Sequence, residues 1–269
     1  MLTEYQSVFI GSYEAIMDPE VFKELLISKI ISLDIEKPHV AQELKHIFKC
    51  VSDEPDSDII SHLPLAIEFL AEEGTTLVHC RHGVSRSATV VMAWLMLSEC
   101  LSVDEAFRRL VSVRPSCMPN RGFMHQLHLF KRMKCTVDTV SKYYLNFALQ
   151  HGNVIYERFE LVPGEIHYSC RKCRLPIATE GMTVNHLSGK FPKWEDPDVI
   201  DNHCKQGLFI VPPIWLSGKN SFHWYQFNKL HCHRCKCKIG SWGMCSCACG
   251  ASGRIGVLIN LSTMDRRFV

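Results

Sequence analysis

The run His79-Cys80-Arg81-His82-Gly83-Val84-Ser85-Arg86-Ser87-Ala88 sets an arginine six positions after a cysteine, between the apolar stretch Thr76-Leu77-Val78 and a long apolar segment. That spacing describes a phosphate cradle with a nucleophile inside it. A strand that ends in a tight loop and opens onto a helix turns successive backbone N–H groups inward, and the helix N-terminus adds partial positive charge where an anion would sit. The same field favours the thiolate, the nucleophilic form of Cys80. Arg86 can grip two phosphate oxygens with its planar fork, while Arg81, His82, Gly83, Val84 and Ser85 form the rest of the cradle. Ser87 is placed so that its hydroxyl can donate to the Cys80 sulfur and stabilise it as a leaving group; capping of the following helix is the plainer role for it. His79 is read as a supporting residue that orients the loop rather than as a base.

A thiolate that attacks phosphorus must expel an alkoxide or phenolate, which calls for an acid on a facing loop. Asp53 follows an expected strand at once, stands before Pro55 and lies 27 residues ahead of Cys80, so it falls on a loop at the same sheet edge. Asp56 and Asp58 are weaker candidates, because Asp56 or Ser57 would cap a helix beginning near Asp58.

The elements that must hold these groups alternate. Gln6 to Ile10 reads as a strand, Pro19 to Leu26 as a helix, and Lys29 to Leu33, His46 to Val51 and Thr75 to His79 as strands. Such alternation predicts an α/β domain with a largely parallel sheet wrapped by helices, whose ligand site lies at the carboxyl ends of the strands. The segment from Val90 to Leu97 is apolar on every face and should form a buried helix behind the cradle. Pro64 interrupts a helix expected from about Asp58 to Ala71 and would kink it, unless the helix starts later. Ser102-Val103-Asp104-Glu105 reads as a capping box.

Composition divides the chain. Of 14 cysteines, five are scattered over the first half and nine fall between Cys170 and Cys249. Residues 160–269 carry 14 Lys and Arg against 8 Asp and Glu, a net +6, whereas residues 1–159 are net −4. The expected organisation is a catalytic domain over 1–148, a linker over 149–164 and a small, zinc-stabilised, mostly β domain over 165–269. The longest uncharged apolar stretch, Ser87 to Ser98, falls short of the ~20 residues a bilayer needs, and Glu4 in a short polar start argues against a signal peptide, so an intracellular protein with no membrane partner is expected.

Cys170-Arg171-Lys172-Cys173 and Cys232-His233-Arg234-Cys235 are both C-x2-C turns, and Cys247-Ala248-Cys249 closes the cluster. Two such turns point to tetrahedral zinc, since the two-residue gap brings both sulfurs to one ion. The arrangement expected is one site from Cys232, Cys235, Cys247 and Cys249 and a second from Cys170, Cys173, His186 and Cys204. His203, Cys237 and Cys245 are spare candidates, and a ribbon joining Cys170/Cys173 to Cys232/Cys235 is the alternative.

The stretch from His79 to Ala88 resembles the His-Cys-x5-Arg-Ser signature of cysteine-dependent protein phosphatases, in the Gly-Val-Ser-Arg-Ser-Ala-Thr form of the dual-specificity branch. Val51-Ser52-Asp53-Glu54-Pro55 is similar to the segment that carries the acid in that family, which again selects Asp53. Met118-Pro119-Asn120-Arg121-Gly122-Phe123, with Gln126 and Leu127, also resembles it and implies that Asn120 helps brace the signature loop; a plain turn asparagine is the alternative. The cysteine pattern extends the resemblance over nearly the whole chain, to dual-specificity phosphatases with a C-terminal zinc-binding domain. It implies hydrolysis of phosphotyrosine and phosphoserine/threonine in phosphoprotein substrates and two structural zinc ions. It also implies a nuclear and cytoplasmic distribution and involvement in large ribosomal subunit assembly, through pre-ribosomal particles or RNA. Arg81 and His82 would also suit an RNA or phosphoinositide phosphatase, but the Asn-Arg-Thr-Gly ending expected of RNA 5′-phosphatases is absent. A binding or assembly factor in which catalysis is dispensable is the competing reading.

Overall fold

The computed structural model describes residues 2–3, 6–139, 141–150, 161, 163–184, 204, 206–216, 224–250 and 252–268. They form two compact units, 1–137 and 138–269. Residues 138–148 fall in the second unit.

In the first unit, strands β1 (Leu2–Thr3), β2 (Gln6–Gly11), β3 (Ile27–Asp34), β4 (Lys45–Cys50) and β5 (Thr75–Cys80) form a sheet in the order β1-β2-β5-β3-β4. All neighbouring pairs except β1–β2 are parallel. β3 and β5 are buried on both faces, as near-continuous apolar strands of an α/β sheet should be. Register sets Leu33 beside Cys80 and Asp34 beside Cys50, so β3, β4 and β5 end together at one edge.

Helices α1 (Tyr13–Met17), α2 (Pro19–Glu24), α3 (Leu63–Ala71), α4 (Arg86–Ser98), α5 (Val103–Val113) and α6 (Arg121–Arg132) surround this sheet. α4 buries every residue from Arg86 to Met96 except half-buried Trp94, which fixes the loop ahead of it from behind. The helix expected from Asp58 starts at Leu63 instead. Pro64 is its second residue, where a missing N–H costs no intrahelical bond, so no kink is needed. A short 3₁₀ turn, Ile60–His62, precedes it, and Asp58 rather than Asp56 or Ser57 accepts from the Ser61 N–H at 3.1 Å. The same helix ends on Lys29, which is buried in β3 and donates to the carbonyls of Phe69 at 2.8 Å and Glu72 at 2.6 Å. The capping box from Ser102 to Glu105 opens α5 as expected.

The second unit holds α7 (Lys142–Gln150), a sheet of β6 (Ile166–Cys170), β7 (Pro176–Thr179) and β13 (Met264–Phe268), and a five-stranded sheet of β8 (Thr183–Val184), β9 (Gly207–Ile210), β10 (Phe227–His231), β11 (Lys238–Ser246) and β12 (Ser252–Asn260). Its core joins Tyr168, Ile177, Met182 and Ile210 to Trp224 and Trp242, which meet edge to face with centroids 5.1 Å apart. Leu145 of α7 packs with Phe209, Val211 and Leu258. Among the described residues, no helix is long and apolar enough to cross a membrane.

Candidate active site

The loop between β5 and α4 begins at Cys80, which is 1% exposed. Gly83 takes φ +66°, and a Cβ there would lie 2.6 Å from the Gly11 carbonyl oxygen, so only glycine lets the loop fold back over the end of β2. The loop is braced from outside. The Met118 N–H donates to the Val84 carbonyl at 2.8 Å, the Tyr13 N–H to the Arg81 carbonyl at 3.2 Å, and Arg114 Nη1 to the Ile10 carbonyl at 3.3 Å. Ser85 stands at the N-cap of α4, yet its side chain makes no capping bond. First-turn amides are thereby left facing the cradle, where an anion can take them.

Ser87 Oγ lies 3.2 Å from Cys80 Sγ. Burial pushes the Cys80 thiol up, but the Ser87 hydroxyl, the amides of Ser87 and Val84 and the Arg86 charge outweigh it, and the pKa is lowered overall. The thiolate is favoured by the groups that would hold a phosphate.

Arg86 is 5% exposed. Its Nη1 donates to Asp34 Oδ1 and to the Val51 carbonyl, each at 3.1 Å. Asp34 went unnoticed in the sequence, since its strand was expected to stop at Leu33 and its partner is distant along the chain. Asp53 lies across the cradle. Ser85 Oγ donates to its Oδ1 at 2.6 Å and Asn120 Nδ2 to the same oxygen at 2.8 Å, while Oδ2 is 4.0 Å from Arg86 Nε. The other carboxylate oxygen therefore remains for a proton.

Asn120 is neither a plain turn residue nor a contact of the loop alone. Its Oδ1 accepts from the Phe123 N–H at 3.0 Å, capping α6, and its own N–H donates to Ser85 Oγ at 3.0 Å. α6 holds the acid loop at two further points. Gln126 accepts from the Ile59 and Ile60 amides at 3.0 Å each and donates to the Ser57 carbonyl at 2.7 Å, and Gly122 lets Pro55 approach so closely that a Cβ would meet its carbonyl oxygen at 1.8 Å.

His79 is fully buried behind Cys80, with Nε2 2.6 Å from Ser32 Oγ, and that hydroxyl is also 2.8 Å from His46 Nε2. Burial, reinforced by His46 and Arg86, pushes the His79 pKa down to about 4. A ring neutral at physiological pH suits an orienting role. Arg81 and His82 are exposed at the rim, and the Arg81 guanidinium sits over the Tyr13 ring at 5.0 Å. A cleft of about 460 Å³ opens there, lined among others by Tyr13, Lys37, Asp53, Arg81 and Arg86.

In the second unit the thiols group as Cys170, Cys173, Cys232 and Cys235 in one cluster and Cys204, Cys247 and Cys249 in another. This corrects the expected pairing and matches the ribbon alternative. Both C-x2-C turns have the same conformation, and the sheets that carry them set one against the other. In each, the first cysteine's carbonyl accepts from the residue four on (Arg174 at 2.8 Å, Lys236 at 2.9 Å), which takes a left-handed φ (+61° and +59°). Two like turns meet face to face across the sheets. A tetrahedron with Zn–S bonds of 2.3 Å needs sulfurs about 3.8 Å apart. Cys173 and Cys232 lie at 3.5 Å, Cys170 and Cys235 at 3.7 Å and, in the other cluster, Cys204 and Cys247 at 3.8 Å, so both donor sets could hold a soft metal ion. Cys237 lies 3.5 Å from Cys170, while Cys245 bonds to Ser241 and the Gly256 carbonyl instead. His186 and His203 lie outside the described residues.

The family model described as "Dual specificity phosphatase, catalytic domain" matches residues 8–133. Dual specificity protein phosphatase 12 of Mus musculus is 30% identical over 278 residues, covering 90% of this chain and 81% of that protein. Its Homo sapiens counterpart is 28% identical over 286 residues, covering 93% and 84%. Among solved structures, the Yvh1 phosphatase domain from Chaetomium thermophilum aligns at 29% identity with a TM-score of 0.45, covering 49% of this chain and 94% of that one. Aligned over nine-tenths of its length with a relative 30% identical to it, this chain belongs to the dual specificity protein phosphatase family.

Proposed function

We propose that the chain hydrolyses phosphotyrosine and phosphoserine/threonine in proteins through a phosphocysteine intermediate. The Cys80 thiolate attacks phosphorus as the bond to the leaving oxygen breaks, and Asp53 gives that oxygen its proton. Arg86 and the loop amides hold the three equatorial oxygens. Asp53, now a carboxylate, takes a proton from the water that attacks phosphorus. The P–S bond breaks, and the Ser87 hydroxyl stabilises the departing thiolate. The observation that carries this reading is the placement of Ser87 Oγ 3.2 Å from the buried Cys80 sulfur, with Asp53 held over the same cradle by Ser85 and Asn120.

The two thiol clusters are read as structural zinc sites, in which closed thiolate coordination supplies folding energy to a small core. The second unit is read as the binding part. Residues 202–269 contain nine Lys and Arg and a single acid, Asp265. Exposed Tyr225, just ahead of β10, and exposed Phe227, Lys229 and His231 on it lie close together along the chain. Such a surface suits an RNA-rich partner, which supports a role in large ribosomal subunit assembly and a nuclear and cytoplasmic distribution.

Hydrolysis of an aryl phosphate tests the first reading: Cys80→Ser should abolish it, and Asp53→Asn should lower kcat by ~10²-fold or more. Residual turnover near wild type in Cys80→Ser rejects the mechanism. The acid-poor stretch equally favours an assembly factor whose catalysis is dispensable. Cellular complementation by Cys80→Ser, beside co-sedimentation with pre-ribosomal particles at rising salt, separates the two.

A further inference from the structure

We propose that Asp34 is the positioning residue of the phosphate-gripping arginine, fixing one edge of the Arg86 guanidinium so that the other is presented to the phosphoryl oxygens. This rests on the reading of the cradle given above. Nη1 carries two N–H groups, and both are taken, one by Asp34 Oδ1 and one by the Val51 carbonyl, at 3.1 Å each. The Nε atom is buried and has no hydrogen-bond partner among the described residues. A planar fork tied at one nitrogen can present only its remaining N–H groups, which is the geometry a bidentate phosphate contact requires.

Asp34 is itself held still. Its Oδ1 accepts from the Ile35 N–H at 2.9 Å, its backbone carbonyl accepts from the Val51 N–H at 3.1 Å, and the residue is 6% exposed. Strand register supplies this rigidity, because Asp34 is the last residue of β3 and stands beside Cys50 at the end of β4. Asp34 further keeps the guanidinium off the acid. Without it the nearest carboxylate to Arg86 is Asp53, whose Oδ2 is already 4.0 Å from Nε. An arginine free to close that gap would bind the acid instead of the substrate.

Charge compensation and positioning make different demands, and three substitutions separate them. Asp34→Glu keeps the charge but moves the carboxylate by one methylene. Asp34→Asn drops the charge but keeps an oxygen that can accept from Nη1. Asp34→Ala loses both. Tungstate binding is measured by calorimetry in the full-length chain carrying Cys80→Ser, so that no covalent step enters. Alanine should weaken tungstate tenfold or more, glutamate fivefold or more, and asparagine should recover at least half of the alanine loss on a logarithmic scale. With Cys80 intact, the Asp34→Ala loss in kcat/KM should appear in KM at least as much as in kcat. Glutamate matching its parent, or asparagine binding no better than alanine, overturns the positioning role. If the alanine variant does not fold, glutamate against asparagine decides the matter alone. Turnover by Cys80→Ser itself would reject the nucleophile while leaving this binding comparison intact.

Discussion

Removing the Ser87 hydroxyl should raise the Cys80 pKa. The hydroxyl lies 3.2 Å from the sulfur and both groups are buried, Ser87 at 0% and Cys80 at 1% exposure. A hydrogen bond to a charged acceptor contributes about 1.5–3 kcal/mol, and 1.36 kcal/mol corresponds to one pKa unit. The sign follows from which form is stabilised. The hydroxyl bonds more strongly to the charged thiolate than to the thiol, so its loss favours the protonated form. Part of the depression survives, because the amides of Ser87 and Val84 and the Arg86 charge still act on the sulfur. Ser87→Ala can be followed by the pH dependence of Cys80 alkylation with iodoacetate. The same loss makes thiolate a poorer leaving group, so a pre-steady-state burst of aryl alcohol should grow larger as breakdown of the intermediate slows. A midpoint within 0.3 unit of wild type would show that the backbone and Arg86 set the thiol pKa alone, and the assignment of Ser87 would fail.

Gly122→Ala puts a methyl where the Pro55 carbonyl oxygen would lie 1.8 Å away, so it should displace the acid loop and lower kcat tenfold or more; a crystal structure with Asp53 unmoved and kcat unchanged would contradict this. Cys170→Ser and Cys232→Ser should each remove the same one of two metal ions in elemental analysis, because their sulfurs share a cluster, whereas Cys247→Ser should remove the other. Chelation should unfold the second unit while aryl phosphate turnover by the first falls little, read by circular dichroism and activity on one sample.

The parts of this site legible in the sequence are those whose chemistry is contiguous. Cys80, Arg86 and Ser87 lie within eight residues, and a strand before them with a helix after them leaves one way to fold. Asp53 was legible through topology, since a loop after a parallel strand must emerge at the edge where the cradle opens. Asp34 was not, because an acid ending a strand looks like any loop acid until register brings it to Arg86. Ser85 was legible as a member of the cradle, but its bond to Asp53 was not, since the two lie far apart along the chain and only the structure shows the hydroxyl turned to that carboxylate. The metal pairing failed at the same level. Two identical turns state that thiols converge, but which turn faces which is decided by the sheets that carry them.

The way those thiols converge has a topological consequence. Cys173 and Cys232 span one stretch of chain, while Cys204 lies inside that stretch and its partners Cys247 and Cys249 lie beyond it. With a metal ion in each cluster, the two cross-links would interleave rather than sit side by side. Fixing a loop of roughly 60 residues removes about 4 kcal/mol of freedom from the unfolded chain, by the relation used for disulfides. Any break between residues 205 and 231 would cut both loops at once. Half of this module, cut from the rest at such a break, should bind neither ion at full strength.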